Sequence, residues 1–251
     1  MSKEIVGFIL AAGCSKRLKE LTIDKPKSFL EINKKRLIDY HLDYLAEFGI
    51  KEACLVVGFL KDLFKENIGH DHKGVKINYI ENDLYETTGH SYSVLLGKEL
   101  FLEKDILLIH ADVFYDRSIL EMLIKESLDN VVLVDDHYKV LTGDEFVVTG
   151  MDNLVSGIGP NKTANIQGEF LGLSKLSSNF MTEFCDYMEG FFSVRGNKFN
   201  YEIVMDEFLG TSSSPLYYKK IGRSRWINLN YKEDYEEAKR IAVENYSFFK
   251  K

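Results

Sequence analysis

The chain is poor in the features that mark secreted, membrane-spanning and nucleic-acid-binding proteins. Its three cysteines, Cys14, Cys54 and Cys185, are odd in number, far apart and form no C-x-x-C pair. A disulfide framework and a zinc knuckle are therefore excluded, and reduced thiols in a cytoplasmic protein are expected. Three prolines and no Ser/Gly/Pro-rich stretch leave no candidate linker, so 1–251 is expected to form one unit. No apolar run approaches the roughly 18–20 residues that a membrane helix needs. Met1-Ser2-Lys3-Glu4 leads at once into a strand-like run, and no cleavable leader is expected. A net charge of −7 denies the chain the basic face of a general nucleic-acid binder. G-x-G-x-x-G and the P-loop pattern are both missing, which removes a dinucleotide fingerprint and a Walker-type phosphate loop.

What is present is ordinary globular composition, 45% hydrophobic and 28% charged over 251 residues, enough to bury a sizeable core. The charge is unevenly spread. From Lys16 to Arg36 there are eight basic residues (Lys16, Arg17, Lys19, Lys25, Lys27, Lys34, Lys35, Arg36) against three acidic ones (Glu20, Asp24, Glu31). A cationic patch on an acidic chain suits a compact polyanion such as a nucleoside triphosphate. Charge alone describes a solvated basic loop equally well.

The first half alternates continuous apolar runs with amphipathic segments. Ile5-Val6-Gly7-Phe8-Ile9-Leu10 reads as a buried strand ending in the tight turn Ala11-Ala12-Gly13. A helix is predicted over 37–48, stopped by Gly49, then a strand over 53–57, a helix over 61–67 and a strand over 75–80. A helix over 91–100, a strand over 106–109, a helix over 118–127 and a strand over 131–134 follow. Such alternation implies an α/β fold of three layers, a mostly parallel Rossmann-like sheet covered on both faces. Right-handed crossovers bring the C-terminal ends of its strands to one edge, where ligands bind. Gly13, Asn82 and Asp112 all lie just past strand ends. Beyond 134 the pattern becomes β-rich, with short strands over 138–141, 146–151, 155–158 and 170–173. Helices over 179–188 and 201–209, strands over 216–221 and 226–229 and a helix over 232–246 close the chain.

The most informative stretch is Leu10-Ala11-Ala12-Gly13-Cys14-Ser15-Lys16-Arg17-Leu18, with Lys25-Pro26-Lys27-Ser28 downstream. Small residues after a strand let backbone N–H groups approach phosphates and base edges. Arg17 can bridge several phosphate oxygens and Lys27 offers a compact charge, aimed by the fixed backbone of Pro26. The two-part pattern resembles L-A-A-G-x-G-x-R-L followed by P-K, the signature of nucleotidyltransferases of the sugar-nucleotide-pyrophosphorylase type, with Ser15 where the second Gly stands. Further segments are similar to that family. Asn82 to Ser93, including Thr88, Gly89 and Ser91, looks like its second nucleotide-binding segment. Ile106-Leu107-Leu108-Ile109-His110-Ala111-Asp112 looks like the strand ending in its metal-binding Asp, with Ala111 in place of Gly. Trp226-Ile227-Asn228-Leu229-Asn230 resembles its closing W-x-E-I-D segment, with Asn230 in place of Asp. Read alone, Asp112 is as much a turn-former as a ligand, and Asn230 is a helix cap.

The resemblance implies a nucleotide-binding half over 1–134 and an acceptor-binding and closing half over 135–251. It implies Mg²⁺, with Mn²⁺ as an alternative, held by Asp112 and Asn230. Lys27 would meet the α-phosphate, and Arg17 with Lys16 the β- and γ-phosphates. Within the family, Val134-Asp135-Asp136, Gly143-Asp144-Glu145-Phe146-Val147-Val148 and Gly168-Glu169-Phe170-Leu171 look like cytidylyltransferases that use phosphocholine, 2-aminoethylphosphonate or phosphoglutamine, although Val147 stands where Lys is usual. The implied partners are CTP and a small phosphate or phosphonate acceptor, without nucleic acid or membrane, the chain acting as a monomer or homodimer. Asp136, Glu145, Lys162, Glu169, Tyr201 and Glu202 are candidate acceptor contacts, each equally readable as a solvated turn or helix charge. A hexose-1-phosphate nucleotidylyltransferase using UTP or dTTP, and a non-catalytic nucleotide-binding subunit, are the rival readings. His70-Asp71-His72 has no further ligand nearby in sequence and reads as a polar turn rather than a metal site.

Overall fold

The computed structural model describes residues 4–18, 20–137 and 145–248; the expected strand over 138–141, like Lys19, Gly143 and Asp144, lies outside the described residues. In chain order the strands are β1 (Ile5–Ala11), β2 (Glu31–Ile32), β3 (Lys35–Arg36), β4 (Glu52–Val57), β5 (Asp71–His72), β6 (Val75–Glu81), β7 (Asp105–His110), β8 (Val113–Tyr115), β9 (Val131–Asp135), β10 (Val147–Met151), β11 (Leu154–Gly159), β12 (Ile166–Leu176), β13 (Tyr217–Lys220) and β14 (Trp226–Asn228). The helices are α1 (Leu37–Glu47), α2 (Lys61–Ile68), α3 (His90–Leu95), α4 (Lys98–Phe101), α5 (Arg117–Ile124), α6 (Ser178–Arg195), α7 (Tyr201–Leu209) and α8 (Lys232–Phe248).

A ten-stranded sheet runs β10-β11-β13-β9-β12-β7-β1-β4-β6-β5. The continuous apolar strands are buried on both faces, and their alternation sorts the core. Val6 and Phe8 of β1, Cys54 and Val56 of β4, and Ile106 and Leu108 of β7 point to one side, where α3, α4, α6 and α7 pack. Ile9, Leu55, Leu107 and Ile109 point to the other, under α1, α2 and α5. A third, smaller cluster joins Leu18, Leu30, Ile32, Phe114 and Leu229 to Tyr235, Ala238 and Ile241 of α8. It fastens the basic loop and the last helix beside the sheet edge.

Two sequence expectations need correction. β7, β1, β4 and β6 are mutually parallel as predicted. The long β12, however, lies antiparallel between β7 and β9, so the sheet is mixed. The helix expected over 91–100 is two short helices, α3 and α4, separated at Gly97. The rings of Phe101 and Phe8 pack so close that a Cβ at Gly97 would stand 2.5 and 2.7 Å from them.

His70-Asp71-His72 is part of the β5–β6 hairpin, not a bare turn. His72 Nε2 lies 2.6 Å from Asp43 on α1, which also takes Lys35 Nζ at 2.6 Å and Lys73 Nζ at 2.8 Å. Partial burial works to raise the Asp43 carboxyl, but the hydrogen bonds from Lys35, Lys73 and His72 outweigh it and hold the group at about 2. A carboxyl depressed in the folded state stabilises the fold above its unfolded pKa of about 3.9, and that stability is lost as pH falls toward the folded value. Asp43→Asn is expected to cost about 1 kcal/mol or less at neutral pH, since solvent screens a partly exposed cluster, with the difference from wild type fading between about pH 4 and pH 2. Urea unfolding across that range measures it, and a pH-independent difference would contradict the assignment.

Candidate active site

The C-terminal ends of the parallel strands form one edge, and the backbone stays knitted past them. Ala111 N donates to Leu10 O at 3.2 Å, Phe59 N to Ala12 O at 3.0 Å and Asn82 N to Val57 O at 2.8 Å. Over this edge opens a cleft of about 190 Å³. Its lining comes from Leu10, Ala11, Ala12, Gly13 and Ser15 on one side, Lys27 and Ser28 on a second, and His90, Ser93, His110, Ala111 and Asp112 on a third. A Cβ added to Gly13 would meet nothing within 4 Å, so the loop there faces open space. Ser15 has φ +45°, the left-handed conformation that glycine adopts most cheaply, which accounts physically for a glycine in the related signature. Cys14 is half-buried and unpaired, and Lys16 enters the short 3₁₀ turn Lys16–Leu18, its side chain lying outside the described residues.

Three distant segments meet at the mouth of the cleft. Lys27 Nζ donates to Asp112 Oδ2 at 2.8 Å and to Asn230 Oδ1 at 3.3 Å. Arg17 Nη2 donates to the same Asn230 oxygen at 2.9 Å, and its guanidinium lies 5.2 Å from the Tyr231 ring centre. Burial would raise the Asp112 carboxyl; the charge of Lys27, then His110, outweighs it and holds the group at about 2. Asn230 is positioned by two devices. The β14–β8 ribbon sets Asn228 opposite Val113, and Leu229 N donates to Asp112 O at 2.9 Å. Asp234, in the first turn of α8, accepts from Asn230 N at 2.8 Å and Tyr231 N at 2.7 Å. Two oxygens of hard-ligand type thus converge on the Lys27 ammonium. The donor set fits a Mg²⁺-like ion.

The 82–93 segment behaves differently from expectation. Asn82 is buried and bonds Ser93 Oγ at 2.9 Å, while Leu84 N donates to its Oδ1 at 3.0 Å. Ser91 is fully buried, its hydroxyl spent on Phe199 O at 2.6 Å. Thr88 Oγ1 donates to Leu84 O at 2.8 Å. Gly89 lies against the α6–α7 connection, where a Cβ would sit 2.0 Å from Phe199 O. These four hold the segment in shape; the cleft is lined instead by their neighbours His90 and Ser93.

Of the acceptor candidates, Tyr201 and Glu202 do not line the cleft; both are buried behind the His90 and His110 that do. Tyr201 OH lies 3.0 Å from His110 Nε2. Glu202, 2% exposed, stands behind His90 and His110, and burial, with Asp112 adding, pushes its carboxyl up to about 8. Burial lowers His90 to about 3 and lowers His110 as well. Glu145 and Glu169 gather elsewhere, with Asp135. Glu169 is paired across strands with Asp135 and is pushed up to about 7 by burial, then by Glu145 and Asp135. Asp135 accepts from Trp226 Nε1 at 2.9 Å, and Asp136 lies 3.5 Å from Lys220 Nζ. Lys162 does not project freely: its ammonium bonds both oxygens of Asp206 at 2.7 Å, tying the turn after β11 to α7. Sequence reasoning passed over His90, Ser93, Ser28 and His110. Only His110 carried a usable signal, since residues two apart on a strand share a face and Asp112 was already marked.

Known proteins share this architecture. The phosphoglutamine cytidylyltransferase of Campylobacter jejuni is 29% identical over 197 residues, 72% of this chain and 77% of that one. The choline-phosphate cytidylyltransferase of Streptococcus pneumoniae is 30% identical over 60% of this chain and 62% of its own length. A CMP-5'-(3-aminopropyl)phosphonate synthase of Streptomyces rubellomurinus is 36% identical over 115 residues, 46% of this chain but 18% of that protein. The chain therefore spans less than two thirds of the length of two of these three. Among solved structures, the S. pneumoniae CTP:phosphocholine cytidylyltransferase superposes with a TM-score of 0.74 at 23% identity, covering 95% of this chain and 99% of that one. The inositol-1-phosphate CTP transferase from T. maritima gives 0.78 at 20% identity, over 96% and 97% of the two chains. At these identities the likeness establishes the fold. The model of the nucleotidyl transferase family matches residues 6–138, which take in the small-residue loop, Lys27 and Asp112 together, and the chain belongs to that family.

Proposed function

We propose that the protein transfers CMP from CTP to a small phosphorylated or phosphonylated acceptor and releases pyrophosphate. The observation that carries this reading is the convergence of Lys27, Arg17, Asp112 and Asn230 at the mouth of a cleft walled by small residues. The printed names of the relatives support the choice of CTP and of a compact acceptor. Unpaired thiols at Cys54 and Cys185 support a reducing, cytoplasmic setting.

The acceptor's phosphate has a second pKa of about 6 and is largely ionised at neutral pH, so its oxygen needs no general base to attack the α-phosphorus. What the site must supply is alignment and neutralisation of charge. Lys27 exchanges the Asp112 carboxylate for an α-phosphate oxygen, where charge builds as the new bond forms. Arg17, exposed beside the cleft, grips the departing β- and γ-phosphates with a fork that two phosphates can share. Backbone N–H groups of the Ala11 to Ser15 turn face the triphosphate. Asp112 and Asn230 would hold Mg²⁺, which when bound withdraws charge from the phosphate oxygens. With one carboxylate and one neutral carbonyl, the pair offers a single negative charge, so much of the ion's charge is left for the phosphates. On the acceptor side, Glu145 and Asp135 crowd Glu169, whose carboxyl is pushed up to about 7, and this acidic cluster suits a cationic or amide-bearing acceptor; Asp136 adjoins it, while Tyr201 and Glu202 stand apart, behind the cleft.

Pyrophosphate release assayed over CTP, UTP, ATP, GTP and dTTP, crossed with phosphocholine, 2-aminoethylphosphonate, phosphoglutamine and glucose-1-phosphate, tests the reading. CTP with one small acceptor is the expected active pair. Turnover of glucose-1-phosphate with UTP or dTTP would transfer the protein to the hexose-1-phosphate enzymes, and tight nucleotide binding without turnover would make it a regulatory subunit. Lys27→Ala is expected to lower kcat by about 100–1000-fold with a much smaller change in KM for CTP. Asn230→Asp, which adds a second charge to the oxygen pair, is expected to lower the Mg²⁺ concentration needed for half-maximal rate; an unchanged requirement would remove Asn230 from the ion's shell.

A further inference from the structure

Behind the cleft, three elements present one side chain each to a common point. His90 opens α3, His110 closes β7 and Glu202 lies in the first turn of α7. One donor atom from each of the three lies within 4.8 Å of the others. His90 Nε2 is 3.7 Å from Glu202 Oε2, and His110 Nε2 is 3.5 Å from Glu202 Oε1. Both separations are too long for hydrogen bonds, which end near 3.2 Å. They are close to the edge of a coordination shell, about 3.3 Å for ligands held roughly 2.0–2.1 Å from one ion.

The carboxylate also calls for a partner. Glu202 is 2% exposed, yet its Oε2 is buried with no hydrogen-bond partner among the described residues. A buried carboxylate oxygen left unpaired is costly, and a bound ion is one of the few things that explains it. His110 is held from the other side, where the β12 backbone presses on its ring so closely that a Cβ at Gly172 would stand 2.6 Å from Nδ1. His90 Nδ1 is buried and likewise has no hydrogen-bond partner among the described residues. The Tyr201 hydroxyl, 3.0 Å from His110 Nε2, adds a neutral oxygen at the same point. His90 and His110 both line the cleft, so the cluster is reached from it.

We propose that His90, His110 and Glu202 bind a divalent transition ion of the zinc class, at a site separate from the Asp112–Asn230 oxygen pair. Two imidazoles and one carboxylate select Zn²⁺, Co²⁺, Mn²⁺ or Fe²⁺, whereas Mg²⁺ prefers oxygen ligands and keeps its waters. Three protein donors with the cleft beyond them make an open site, able to take a further ligand from the cleft.

Full-length protein stripped with chelator and kept in excess Mg²⁺ would be titrated with Co²⁺ and followed by visible d–d absorption. One Co²⁺ per chain is expected, displaced by Zn²⁺ and retained in Asp112→Asn. In His110→Asn and Glu202→Gln the affinity is expected to fall by more than the roughly 10–100-fold that losing a supporting contact costs. His90→Asn, at the half-exposed start of α3, provides the same reading should either buried variant fold poorly, with circular dichroism as the check. Absence of the Co²⁺ spectrum, binding indifferent to all three substitutions, or binding lost equally in Asp112→Asn would each overturn the site. None of these readouts depends on nucleotide transfer.

Discussion

The arrangement rests on one charged contact, the Lys27 ammonium held between the Asp112 carboxylate and the Asn230 carbonyl. Its three members come from the loop after β1, the end of β7 and the end of β14. Asp112 lies two residues past a central strand buried on both faces, and its backbone carbonyl accepts from Leu229 N at 2.9 Å. Asn230 depends on smaller devices: the three-residue β14–β8 ribbon, the Asp234 carboxylate and the third apolar cluster under α8. Lys27 follows Pro26 and opens a short 3₁₀ turn whose Ser28 and Phe29 are buried. A cationic side chain therefore keeps the two oxygens from repelling each other and ties the loop after β1 to the ends of β7 and β14.

The central strands were legible because a parallel sheet buried on both faces leaves continuous apolar runs, as in Ile5 to Leu10 and Ile106 to Ile109. The family pattern around Gly13, Lys27 and Asp112 was legible because those residues are local in sequence and chemically unusual together. The reversal of β12 was not, since an 11-residue strand with glycines at 168 and 172 advertises neither its length nor its direction. Gly97, where α3 and α4 part, is confined by two phenylalanine rings, one of them some ninety residues upstream. Asn82 and Ser91 carry polar groups of the right type in the right segment, but residue type does not say which side of a turn a side chain faces. Both turned inward to satisfy backbone and neighbouring hydroxyls. His90, His110 and Glu202 meet only through the tertiary fold, and no spacing in the sequence announces them.

The sheet also divides the chemistry. β1, β4, β6 and β7 run parallel and end at the edge where the cleft opens, while β10, β11 and β12 form an antiparallel element that carries Glu169, with Glu145 just before β10. β12 belongs to both, paired with β7 at one end and with β10 at the other. The Lys27–Asp112 contact thus sits at the end of the parallel core, and Glu169 on the antiparallel element.

The crossing of Gly89 with Phe199 has an evolutionary cost. Gly89 N donates to Asn197 O and Ser91 N to Phe199 O, so the 82–93 segment is stitched to the backbone that leads directly into Tyr201 and Glu202. No side chain larger than hydrogen fits at the crossing. Any change that shifted the Gly89 turn would therefore carry the backbone of Tyr201 and Glu202 with it, so the two segments can vary only together.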